Sequence, residues 1–534
     1  MSDIETKIQN NDNFGIKKKI SLITLIVVFA FIIRLAYGNF EIPLTADSLD
    51  YFLYASDISV NNQLPKYTIG NNGWPIFVSW FFSILKFETV LDYMQVQKVL
   101  TVILSSVTIL PVYFLCRKFF DSKLSLVGAI FFAVEPRILL NASLGVTESL
   151  YILLGTSSLV LFLSQNKKLV YSSFIVASCF SMIRSEGIFL LVVISMMFFI
   201  RFRKDKLVIP KYFFVLLIFV LVLLPMVSYR IETLGHDGLT KRMVYGINAH
   251  ILGSDNFSEE ALEEVGTNTK NSFFINGAQN FIKYLGWDLI PLFIVFAPIG
   301  VFFLFRKMDY KKGTVIVSVI FLSLPAFYAY SIPLEDTRYF FLLYPSFIVI
   351  SLFTIKKIQN RFTKQNLILI AIIIGIISVS VIFLNFEVID YEREKEIFEI
   401  SKILLRSDMK INDYMPESRY LESTNVLIDI NSFQQYLLQN NENRNSVNDI
   451  IPKKVHTIPT DNFSTLKEFI IDNKDDGLTH IVSDDNNNRQ EFLRDLFENE
   501  SNYPFLIKEF DSKDAGFSYH LKLFKINYDQ FNLE

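Results

Sequence analysis

Apolar runs of spanning or nearly spanning length recur along the first 385 residues and then cease. They fall at about 20–37, 94–116, 124–135, 148–164, 169–183, 187–200, 208–229, 284–305, 314–331, 339–355 and 366–385, which predicts about eleven transmembrane helices. The first run carries Arg34 near its end and lacks a small-residue cleavage site, so it reads as a retained span and not as a signal peptide. Between the first two runs, the stretch 38–93 predicts one or two interfacial helices, one around Ala46-Asp47-Ser48-Leu49-Asp50-Tyr51 and another from Gly73-Trp74-Pro75. A second long connection spans 230–283. After 386 the period changes. Helical spacing appears at 392–405 and 489–498, a strand at 478–483, and alternation typical of paired strands at 505–510 and 519–526, joined through 511–516. The predicted fold class is therefore a polytopic α-helical membrane protein with a soluble C-terminal α/β domain.

Composition agrees with that division. The chain has 534 residues, 51% hydrophobic and 15% aromatic, with a mean hydropathy of +0.34, a level that soluble domains rarely reach because they need polar surface. The formal charge of −3 hides a split: residues 386–534 hold 17 basic and 29 acidic side chains, a net −12, which leaves +9 for the remainder. Short basic connections alternate with the spans at Lys17–Lys19, Arg117 to Lys123, Lys167-Lys168, Arg201 to Lys206, Arg306 to Lys312 and Lys356 to Lys364. By the positive-inside rule the N-terminal 1–19 is cytoplasmic, and an odd number of spans puts 386–534 outside. The four Asn-X-Ser sequons, at Asn141, Asn256, Asn462 and Asn499, all fall in segments this topology places outside. Cys116 and Cys179 sit in apolar runs and form no disulfide framework. The five histidines show no ligand spacing, and no phosphate-cradling Gly-rich loop is present, so neither a metallohydrolase nor an ATP-driven pump is indicated.

Charged groups near a bilayer are costly, and their placement carries the functional signal. The predicted outer span ends collect acids and bases: Asp47, Asp50, Glu135-Pro136-Arg137, Glu148, Arg184-Ser185-Glu186, Arg230-Ile231-Glu232 and Glu335-Asp336-Thr337-Arg338. If the spans bundle, these ends converge on one outward cavity. Guanidiniums there suit the phosphate of a lipid-linked substrate, and a carboxylate can take a proton from a hydroxyl. Each residue also has a plainer use. Asp47 and Asp50 can cap a helix, Glu135 precedes a helix-stopping proline, Glu148 faces a helix N-terminus, and Arg338-Tyr339 can anchor at the interface.

The order of these motifs resembles a GT-C glycosyltransferase, of the branch holding protein O-mannosyltransferases and lipid A aminoarabinose transferases. The likeness covers about 20–385. It rests on Arg34-Leu35, Ile42-Pro43 leading to Asp47 and Tyr51, Gly73-Trp74-Pro75, Glu135-Pro136 through Ser143 to Thr147-Glu148-Ser149-Leu150-Tyr151, Arg184-Ser185-Glu186-Gly187, and Arg338-Tyr339 with Tyr344-Pro345. The resemblance implies a GT-C transmembrane catalytic domain at 20–385 and a polyprenyl- or dolichyl-phosphate-linked sugar donor, mannose or another hexose. It implies inverting transfer to an extracytoplasmic hydroxyl on protein, lipid or glycan. Carried over, Asp47 is the general base, with Asp50 and Glu135 as further catalytic candidates. Arg184, Arg230 and Arg338 are candidates for the donor phosphate, and Tyr51, Glu148, Glu186, Glu335 and Asp336 for positioning sugar or acceptor. The family often has Asp-Glu where this chain has Asp47-Ser48, and a divalent metal is not supported by the residues present. Expected partners are the lipid-linked sugar, an acceptor and the bilayer, not nucleic acid. The Asn- and Ile-rich composition points to a prokaryotic plasma membrane, archaeal or that of a low-GC bacterium.

Two other classes compete with this reading. A secondary transporter would place its site at mid-membrane within repeated halves, yet the span centres here are nearly free of charge and no repeat is seen. A non-catalytic anchor for the acidic tail needs only one span.

Overall fold

The structure, a computed structural model, describes residues 15–65, 69, 72–85, 87, 89–239, 270–332, 336–386, 390–404, 409–412, 455–458, 460, 463–486 and 489–532. All the apolar runs found in the sequence fall largely on helices. The order is α1 (Ile16–Ala36), α2 (Asp47–Asn61), α3 (Gly73–Ile84), α4 (Val90–Val107), α5 (Ile109–Arg117), α6 (Ser122–Ala133), α7 (Pro136–Asn141), α8 (Glu148–Phe162), α9 (Lys167–Ile183), α10 (Gly187–Phe202) and α11 (Val208–Leu234). There follow α12 (Lys270–Leu289), α13 (Phe296–Phe305), α14 (Tyr310–Leu322), α15 (Leu324–Ser331), a 3-10 turn over Thr337–Leu343, α16 (Tyr344–Gln359) and α17 (Gln365–Phe386). Among the described residues, six helices are long and apolar enough to cross a membrane, and the chain is an integral membrane protein.

Some apolar helices are shorter. Ser122–Ala133 has 12 residues, and at 1.5 Å per residue it reaches roughly 18 Å, well short of the hydrocarbon core. The expected continuous span at 284–305 is interrupted: α12 ends at Leu289 and helix resumes only at Phe296. Pro291, which has no amide hydrogen to donate, lies in the gap.

The chain divides into two compact units. Unit 1 comprises 1–38, 66–77 and 98–388. Unit 2 comprises 39–65, 78–97 and 389–534, so much of the first outer connection groups with the tail.

In unit 1 the close helix contacts are made by small residues. A Cβ placed on Gly73 would lie 2.6 Å from the carbonyl oxygen of Met182, at the end of α9, so only glycine fits there. Beside it the fully buried Trp74 donates its indole N–H to the Gly145 carbonyl at 3.0 Å. Asn141, one of the sequon asparagines, is buried. That sequon is therefore not displayed for modification, unlike Asn499, which is exposed.

In unit 2 the tail forms a five-stranded sheet of β1 (Met409–Asn412), β2 (Val455–Ile458), β3 (His480–Asp484), β4 (Leu506–Asp511) and β5 (Leu521–Ile526), in the order β2-β1-β3-β5-β4. β1 runs parallel to both β2 and β3, whereas β5 is antiparallel to β3 and β4. Alternate residues feed two cores. Val482, Leu521 and Leu523 pack with Ile397, Phe398 and Leu404 of α18 (Tyr391–Leu404). Ile481, Phe524 and Ile526 pack with α19 (Leu466–Asn473) and α20 (Glu491–Glu498). The tail is an α/β domain, as the change of period predicted.

Candidate functional site

Unit 1 gathers the predicted span-end charges into one cluster. Arg184 ends α9 and Glu186 immediately precedes α10, separated by a turn too short for their side chains to part. The Arg184 guanidinium donates to Glu186 Oε1 from Nε at 3.0 Å and from Nη2 at 2.7 Å. Its Nη1 reaches Glu148 Oε1 at 3.1 Å and Thr147 Oγ1 at 3.4 Å. The guanidinium also lies over the Tyr151 ring, 5.0 Å from its centroid, and 6.0 Å from that of Tyr339. Arg338 enters through the backbone: its carbonyl accepts from the Tyr151 hydroxyl at 3.2 Å. Its own guanidinium is held by Asp336, whose carboxylate accepts from Arg338 Nε at 2.5 Å and from the Arg338 amide at 2.8 Å. Glu148, Arg184, Glu186, Asp336 and Arg338 thus form a single network with Tyr151 and Tyr339. Glu335 lies outside the described residues.

Arg230 is placed elsewhere. It is buried at the end of α11 and donates from Nη2 to the Ile69 carbonyl at 3.0 Å and to the Asn72 side-chain oxygen.

Glu135 is fully buried and caps α7, its Oε2 accepting from the Ile138 amide at 2.8 Å. Glu135 Oε1 has no hydrogen-bond partner among the described residues. Near it lie groups that the sequence reading passed over. Asp288, fully buried, accepts from the Tyr344 hydroxyl at 2.6 Å, and its second oxygen is unpartnered among the described residues. Glu135 and Arg137 lie within electrostatic range of Asp288. Arg137 donates to the carbonyls of Trp287, at 2.7 Å, and Ile290, past the C-terminus of α12. The signal for Asp288 was available: it is an acid inside an apolar run.

Arg34 likewise closes a helix end. It donates to the Ala133 carbonyl at 3.0 Å and to that of Phe132 at 3.3 Å, at the last turn of α6, and from Nε to Ser105 Oγ at 2.9 Å. A fully buried arginine so engaged holds helices together.

In unit 2, Asp47 and Asp50 occupy the first turn of α2 and are exposed. Three residues apart, they share a face of that helix. Tyr51 is buried on its packed side. Among the described residues no three His, Cys, Asp or Glu side chains converge in a way that could hold a metal ion.

No protein-family model matches the chain, and none of the curated proteins matches it. Solved structures do match. ArnT from Cupriavidus metallidurans in the apo state superposes with a TM-score of 0.55 at 8% identity, covering 95% of this chain and 98% of that one. The Archaeoglobus fulgidus oligosaccharyltransferase tethered with an acceptor peptide gives a TM-score of 0.53 at 11% identity, covering 86% and 69%. Its apo form gives 0.52 at 12% identity, covering 89% and 70%. The likeness is one of fold.

Proposed function

We propose that the chain is a membrane glycosyltransferase that moves a monosaccharide, mannose or another hexose, from a polyprenyl-phosphate donor to an extracytoplasmic acceptor hydroxyl with inversion. The reading is carried by one observation: the fold matches an ArnT structure over nearly the full length of both chains. The acid expected to act as base, Asp47, is exposed at the start of its helix.

In this reaction the Asp47 carboxylate takes the acceptor's hydroxyl proton as the oxygen bonds to the anomeric carbon. The bond from that carbon to the donor phosphate breaks, and the polyprenyl phosphate leaves with the electron pair. Of the three arginines expected at the phosphate, Arg338 is best suited, with a third of its side chain exposed. Arg184 is saturated by two carboxylates, and Arg230 holds the segment around residue 72. Glu148 and Glu186 act through Arg184, whose neighbours Tyr151 and Tyr339 complete its surroundings. The first 19 residues face the cytoplasm and 386–534 the outside, in a prokaryotic plasma membrane.

The test is a product assay by mass spectrometry, with purified protein, a panel of lipid-linked monosaccharides and candidate acceptors. A glycosidic product that disappears in Asp47→Asn, with folding retained, supports the reading. Accumulation of a sugar inside reconstituted vesicles without any glycosidic product would instead establish a transporter.

A further inference from the structure

Asp47 follows a strained residue. Ala46 has φ 49° and ψ −134°, a left-handed conformation that side chains other than glycine rarely adopt. Strain at a non-glycine position persists only when its surroundings over-determine it. Here the restraints are visible on both sides of Asp47. The Ser48 hydroxyl donates to the Thr45 carbonyl at 2.7 Å and accepts from the Thr45 amide at 3.2 Å, bracketing residues 45–48. From α4, Gln97 donates its side-chain amide to the Ser48 carbonyl at 2.9 Å, and Gln95 donates to the Phe40 carbonyl at 3.0 Å. Gln97 is fully buried and Ser48 nearly so.

A buried amide and a buried hydroxyl spent on one turn are an expensive way merely to start a helix, since an ordinary cap needs a single side-chain bond. We propose that Ser48 and Gln97 are positioning residues: they clamp the strained Thr45–Ser48 turn so that the Asp47 carboxylate is held in one direction. The inference rests on Asp47 acting as the base. It assigns a task to Ser48, which stands where the resembled family often has an acid: here the position fastens the turn. Misplacement of a reacting group by about 1 Å can cost on the order of a hundredfold in rate, so a clamp of this kind acts on turnover and not on affinity.

The experiment measures kcat and KM for sugar transfer, with thermal stability in detergent, for Ser48→Ala, Ser48→Thr, Gln97→Ala, Ala46→Gly and Asp47→Asn in the full chain. Ser48→Ala and Gln97→Ala are expected to lose at least about tenfold in kcat with KM changed less than about twofold, and Ser48→Thr to restore most of the loss. Ala46→Gly tolerates the backbone conformation and so folds; it is expected to keep or raise the melting temperature while kcat falls several-fold, because the turn is freed. Unchanged kcat in Ser48→Ala, Gln97→Ala and Ala46→Gly, with Asp47→Asn inactive, overturns the clamp and leaves the base in place. Loss of kcat only in parallel with melting temperature, without rescue by Ser48→Thr, also overturns it. An active Asp47→Asn removes the base reading, and the clamp with it.

Discussion

Arg184 donates a hydrogen bond to Glu148 across 3.1 Å, joining the end of one helix to the start of another 36 positions away in sequence. The Glu148 side chain is only 3% exposed and that of Arg184 16%, so each charge depends on the other for what water would otherwise provide. The same guanidinium binds Glu186. An arginine clasped by two acids is first a fastener of helix ends, which is why Arg338 is proposed in its place for the donor phosphate.

Breaking that clasp from one side should therefore be costly. Arg184→Ala leaves Glu148 buried without its counter-charge and is expected to destabilise the protein by about 3–5 kcal/mol. Arg184→Lys should recover only part of this, since an ammonium cannot present two parallel donors or lie flat over Tyr151 and Tyr339. Thermal melting in detergent measures both. Pairing Arg184→Ala with Glu148→Gln should cost less than the two single losses added together, and strict additivity would show that the two residues are uncoupled.

Glu135 separates a structural task from a chemical one. One carboxylate oxygen caps α7 and the other has no partner among the described residues. Glu135→Gln preserves the cap through its amide oxygen and is expected to leave the melting temperature nearly unchanged, while transfer activity falls if the second oxygen meets substrate. Glu135→Ala should lose the cap as well, at about 1 kcal/mol. Equal activity in Glu135→Gln and the parent would confine Glu135 to the cap.

Much of the architecture was legible because the bilayer imposes one strong rule on sequence. Apolar runs such as 208–229 and 366–385 have few alternatives to helix when backbone groups must bond internally. The strands 505–510 and 519–526 were equally readable from the alternation of their residue types, although β5 feeds a core on each face and β4 is only partly covered. β1 and β2 were not anticipated. Each has four residues, and β1 is buried at three of its four, which leaves no alternation to read. The break at 290–295 was missed because Pro291 sits amid apolar residues that mean hydropathy cannot tell from helix. In the site, residue types were readable and their pairing was not. The triplet Arg184-Ser185-Glu186 announced an ion pair, but nothing local could say that Glu148 would complete it or that Arg230 would be drawn to Asn72. Those contacts depend on helix packing, to which Gly73 and Trp74 contribute by close approach.

The C-terminal domain should weaken in mild acid, and the sign follows from His480. This residue is 7% exposed on β3, where it faces Lys525 across the antiparallel pair. Its Nε2 lies 3.2 Å from Glu509 and its Nδ1 2.8 Å from Thr479 Oγ1. Burial lowers its pKa below the usual 6.5; Glu509 opposes that shift, and Lys525 adds to it. The folded state therefore binds a proton less readily than the unfolded chain does. Stability from this group is complete above pH 6.5 and is lost as the pH falls through 6.5 toward the lower folded value. Hydrogen exchange of β3 and β5 in the full-length protein, corrected for the intrinsic rate, should show protection declining between about pH 7.5 and pH 5. In His480→Gln, which cannot gain the proton, that decline should flatten. An unchanged decline in the variant would move the origin to another group. Protection rising toward acid would contradict the sign altogether, since it would require a histidine whose charged form the fold prefers.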